Sequence, residues 1–109
     1  RVSLCHCLAC QRRTGSAFGY QARFAREGVS ISGESTRYER TGDSGGSVRF
    51  SFCPRCGATV FYELAGLPDI IAVPIGAFAD PDFVAPSLSI FTGGKHRWVE
   101  LPDTMERLA

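Results

Sequence analysis

Long hydrophobic runs are missing from this sequence. The longest, Ile70–Ala79, is broken by Pro74 and Gly76, and it falls well short of the roughly 20 apolar residues a membrane-spanning helix needs. No charged and apolar leader with a small-residue cleavage site opens the chain. An excess of one charge is missing too: 12 Lys and Arg stand against 11 Asp and Glu, a formal net charge of +1. Without a basic stripe, direct nucleic-acid binding is not expected, and nothing calls for a membrane partner. Helical periodicity is scarce, and there is no internal repeat or linker. The cysteine count is five, which is odd. Combined with metal-like spacing, an odd count favours a reducing, cytoplasmic setting over a secreted disulfide framework. The first residue is Arg1, so the expectation is that the true start lies upstream.

What is present is ordinary globular material, 44 % apolar and 21 % charged over 109 residues. That length suits a single domain spanning residues 1–109, able to bury roughly 65 % of its unfolded-chain surface. The densest chemistry lies in Leu4–Gly15, where Cys5, Cys7 and Cys10 form C-x-C-x-x-C. In an extended segment, residues two apart face the same side, so Cys5 and Cys7 can share an ion while His6 points away. Two further residues let the chain turn and return Cys10 to them. Three thiolates are one ligand short of a tetrahedral shell, the usual form of an open zinc site. Buried free thiols or a disulfide are the plainer readings of the same residues. Arg12 and Arg13 follow directly, and as substrate-binding candidates they would attract an anion; as a plainer reading, they are solvated surface charges. Gly15 is placed to end a short helical turn.

From Tyr20 the pattern becomes β. Ala22 and Phe24 alternate with Gln21 and Arg23, and Val29 and Ile31 with Ser30 and Ser32; Ser35–Arg40 reads as a return strand. Thr41–Gly46, with Asp43 and three glycines, reads as a loop. Val48, Phe50 and Phe52 give the cleanest period-two run. That run delivers Cys53-Pro54-Arg55-Cys56-Gly57, a zinc-knuckle spacing in which both thiolates of a tight turn can reach one ion. A redox C-x-x-C is the rival, but it belongs ahead of a helix, and here strands flank it. Ala58–Leu64 reads as a strand, Ile70–Ile75 as a buried central one, and Leu88–Phe91 as a last short one. His96 is a candidate for contact with substrate or metal, although a lone histidine near the surface is more often neither, and Trp98 reads as a core or edge anchor.

Cys5–Phe18 resembles the signature of the glutathione-dependent formaldehyde-activating enzyme family, which includes centromere protein V. Phe52–Ala58 resembles its second signature, and Val73–Gly76 and Lys95–Pro102 are also similar to it. The resemblance implies a zinc-bound tent of antiparallel β-sheets with very little helix. It also implies zinc as cofactor, with Cys5, Cys7 and Cys10 at an open site and Cys53 and Cys56 as half of a structural site. The other half would come from an upstream C-x-C hairpin, which is expected to lie before Arg1. The implied activity is that of a carbon–sulfur lyase, reversibly joining formaldehyde to the thiol of glutathione. Its partner would be a small thiol, and a homo-oligomer is left open. The alternative is a non-catalytic, zinc-stabilised protein-interaction module; a redox thiol protein using Cys7 and Cys10 is a third reading. No general base is identifiable from the residues.

Overall fold

Strands dominate the computed structural model, which describes residues 1–42 and 45–109. In chain order the elements are β1 (Val2–Cys5), α1 (Leu8–Thr14), β2 (Gly19–Ala25), β3 (Thr36–Thr41), β4 (Ser47–Phe52), β5 (Thr59–Leu64), β6 (Ile70–Pro74), β7 (Leu88–Ile90) and β8 (Glu106–Arg107). Single 3₁₀ turns lie at Arg26–Gly28, Ile75–Phe78 and Thr92–Gly94. The chain is thus mainly β, and α1, at seven residues, is the one α-helix among the described residues. Among these residues no helix is long and apolar enough to cross a membrane. The chain divides into two compact units, Ala22–Ala79, and Arg1–Gln21 with Asp80–Ala109.

In the unit Ala22–Ala79, β3, β4, β5 and β6 pair antiparallel in that order. Tyr38, Phe50 and Tyr62 face one another across successive strands, the cross-strand aromatic pairing that stabilises a sheet face. The Phe50 and Tyr62 rings lie 5.2 Å apart, and the Arg40 guanidinium sits 4.8 Å over Phe50. The run that is apolar on both faces, β6, buries Ile71 and Ala72 completely. The expected strand at Val29–Ser32 does not form. The chain leaves β2 through the 3₁₀ turn, closed by Val29 N–H to the Arg26 carbonyl at 3.1 Å, and Ile31 is left half exposed. Two alternating pairs are too short a pattern to hold a strand without a neighbour, and β3 takes β4 as its partner instead. Asp43, within the expected loop, lies outside the described residues.

In the other unit, β1 pairs with β7 and β7 with β8, both parallel. The antiparallel expectation therefore holds for β3–β6 and not for these strands; parallel neighbours require a long connection between them, a feature that local alternation does not reveal. Leu88–Phe91 is not the last strand: β7 stops at Ile90, Phe91 turns left-handed at φ 53°, and β8 follows. Leu4, Leu88, Val99 and Met105 form an apolar core here, and Ser3, His6, Gln21 and Ser89 are buried with them. Gln21, which alternates with Ala22 at the start of β2, is buried too, and its Nε2 donates to Ser3 Oγ at 2.9 Å.

Candidate metal centre

The cysteine triad is built by the junction of β1 with α1. Cys5 ends β1, aligned with Ile90 of β7, and His6 N–H then bonds the Ile90 carbonyl at 3.0 Å. Cys7 is the N-cap of α1, with extended backbone at φ −64° and ψ 150°. A helix N-cap side chain accepts from the third helical residue, and here that residue is Cys10, whose N–H reaches Cys7 Sγ at 3.3 Å. The turn expected between Cys7 and Cys10 is therefore the first turn of a helix. Gly15 closes α1 in the left-handed conformation, φ 65°, as its position predicts.

The three sulfurs all lie within 4.8 Å of one another, and Cys5 Sγ is 3.4 Å from Cys7 Sγ. Thiolates bound at about 2.3 Å around a tetrahedral ion stand about 3.8 Å apart, so these donors fit a zinc-sized cation without rearrangement of the chain. Cys5 and Cys10 are buried and Cys7 is half-buried. The Cys10 side chain, followed by burial, pushes the Cys5 thiol well above the ordinary thiol range. Crowded thiols of this kind ionise together only when a cation offsets their charge.

Arg12 and Arg13 leave α1 in different directions. Arg12 is exposed, on the outer face, and lines an open groove with Leu8, Gln11, Ser16, His96 and Trp98. Arg13 is half-buried: a Cβ at Gly19 would lie 3.4 Å from Arg13 Nη2 and 3.5 Å from Cys10 Cβ, so the two side chains approach Gly19 together.

The sequence model of the glutathione-dependent formaldehyde-activating enzyme family matches residues 1–94. This chain belongs to that family. No curated protein matches it.

In this family member Cys53 and Cys56 occupy the tight turn between β4 and β5. The turn is closed by Gly57 N–H to the Cys53 carbonyl at 2.8 Å, with Gly57 at φ 76°. The Arg55 and Cys56 amides, then the Cys56 side chain, lower the Cys53 thiol's pKa by hydrogen bonding. Neither cysteine joins a group of three or more converging ligand atoms among the described residues.

Gln11 and Gly94 carry roles that sequence reasoning passed over. Gln11 donates from Nε2 to the His6 carbonyl at 2.9 Å and the Gly94 carbonyl at 2.8 Å, and its Oε1 meets His96 Nε2 at 2.8 Å. Two carbonyl partners fix the amide orientation, so His96 Nε2 carries the proton. A Cβ at Gly94 would overlap the His6 carbonyl oxygen, so only glycine permits this approach. His6, completely buried, shares a hydrogen bond with Ser89 Oγ at 3.1 Å, and burial, then the charge of Lys95, lowers its pKa. Trp98, expected as an anchor in the core or at an edge, is 71 % exposed. The one available signal was proximity: Gln11 directly follows Cys10, and Gly94 and Trp98 bracket His96.

Proposed function

We infer that the protein is a zinc-dependent carbon–sulfur lyase of the S-(hydroxymethyl)glutathione synthase type, joining a small aldehyde reversibly to a glutathione-like thiol. The observation that carries this reading is the convergence of Cys5, Cys7 and Cys10 in a member of a family named for glutathione-dependent formaldehyde activation. A zinc ion held by the three cysteines would supply Lewis acidity and stabilise a substrate thiolate. The half-buried Cys7 lies on the side by which a substrate sulfur reaches the triad. Arg13, beside Cys10, and Arg12, on the outer face of α1, hold substrate carboxylates by charge-assisted hydrogen bonds. Their fixed charge also favours an anionic thiol near three cysteines of the same sign. The reaction balances with no co-reactant: the thiol sulfur bonds the aldehyde carbon, and the thiol proton ends on the carbonyl oxygen. The five free cysteines suit the cytoplasm, where thiols stay reduced. Cys53 and Cys56 serve as two ligands of a second, structural metal site.

The test is formaldehyde consumption with glutathione above the uncatalysed rate, with zinc content measured on the same sample. A zinc-loaded protein whose rate equals the no-enzyme control, with no rescue by other thiols or aldehydes, ends the lyase reading and leaves the zinc-stabilised interaction module in its place.

A further inference from the structure

The groove on the outer face of α1 is open to solvent and joins apolar to charged lining. Its volume is about 670 Å³, within the roughly 300–1,000 Å³ range of small-molecule sites. Its apolar side is Leu8, Ala17 and the indole of Trp98, and its charged end is Arg12. Arg12 has no ion pair or hydrogen bond among the described residues, whereas Arg26 and Arg49 both meet Glu63. An indole left 71 % exposed is a large apolar surface facing water.

This indole is also held in place. Trp98 meets His96 edge-on, with ring centroids 6.4 Å apart and planes at 87°. His96 is bonded to Gln11, and Gln11 is tied to the backbone at His6 and Gly94. A chain of short contacts therefore runs from the backbone between Cys5 and Cys7 out to the ring. A pre-positioned aromatic beside an uncommitted guanidinium loses little freedom on binding a ligand. The groove begins at Leu8, the residue that follows Cys7 in the chain.

We propose that this groove is a specificity subsite for a planar, apolar carboxylate, the part of the substrate remote from its thiol. The planar group stacks on Trp98 and the carboxylate pairs with Arg12, while Gln11 and His96 keep the indole in position. The proposal rests on the lyase reading only for where the thiol end goes; the subsite itself requires neither metal nor turnover.

Trp98 is the single tryptophan of the chain, so intrinsic fluorescence reports on the groove alone. The probe is hippurate, which has a ring, an amide and a carboxylate but no thiol, titrated into the full chain with and without zinc. A saturable change in fluorescence is expected. Hippuramide, which lacks the charge, and acetylglycine, which lacks the ring, should each bind about 10-fold more weakly or worse. Arg12→Gln should weaken hippurate by about 10–100-fold and leave hippuramide unchanged. Trp98→Leu, followed by calorimetry, should weaken hippurate and leave acetylglycine unchanged. No saturable change with hippurate, equal binding of hippurate and acetylglycine, or undiminished binding to Arg12→Gln would each overturn the proposal. Hippurate binding without lyase turnover keeps the subsite and removes the lyase reading; turnover without hippurate binding does the reverse.

Discussion

Gly94 and Gly93 are neighbours in one 3₁₀ turn, and they should respond to alanine in opposite ways. Neither has a positive φ, and a Cβ at Gly93 meets nothing within 4 Å. A Cβ at Gly94 meets the His6 carbonyl oxygen, which is backbone and also accepts from Gln11. Gly94→Ala must therefore push two backbone segments apart. Overpacking of this kind costs about 1–3 kcal/mol, and loss of the two Gln11 bonds to the His6 and Gly94 carbonyls adds about 1 kcal/mol each. The two contributions are partly alternative, so about 2–4 kcal/mol is expected, a fall in Tm of roughly 10–20 °C for a chain of this size. His6 lies between Cys5 and Cys7, so the same shift disturbs the triad and should weaken zinc by about 10-fold or more. Thermal unfolding of metal-stripped protein and a competitive zinc titration read the two effects separately. Gly93→Ala is the control and should change neither. If Gly94→Ala melts within about 2 °C of wild type and binds zinc equally well, the close approach argued for this turn is wrong.

Cys7→Ser should weaken zinc by more than the roughly 10–100-fold typical of losing an outer-shell partner, and should abolish turnover with it; retained turnover after zinc loss would separate the two. The Cys10 side chain and burial keep the Cys5 thiol protonated at neutral pH without metal, so zinc binding should release protons and tighten as pH rises; a weakly buffered indicator assay showing no release would contradict this. Ser89→Ala leaves His6 Nε2 buried with no partner and should cost about 1–3 kcal/mol in urea unfolding. Glu63→Gln breaks two contacts of 3.5 and 3.6 Å to arginines that are 45 % and 47 % exposed, and it should cost no more than about 1 kcal/mol.

The sequence by itself determined the strand-rich class, because alternation at Val48–Phe52 and a run that is apolar on both faces at Ile70–Pro74 describe sheet burial directly. It also determined the candidate metal ligands. C-x-C-x-x-C is a local spacing, and a strand end followed by an N-cap and one helical turn brings the three sulfurs together with residues 5–10 alone. Gly15 and Gly57 were legible for the same reason, since a left-handed turn is a property of one residue. Only the tertiary structure decided the parallel pairing of β1 with β7, the burial of Gln21 and His6, and the exposure of Trp98. It also decided that Arg12 and Arg13, adjacent in sequence, serve different surroundings. Most of these depend on a partner more than a dozen residues away or on helix facing: Ser3 for Gln21, Ser89 for His6, and Gln11 for the His96 ring that meets Trp98. Burial of a polar group follows from the hydrogen bond that compensates it, and no single segment of sequence contains both halves of such a bond.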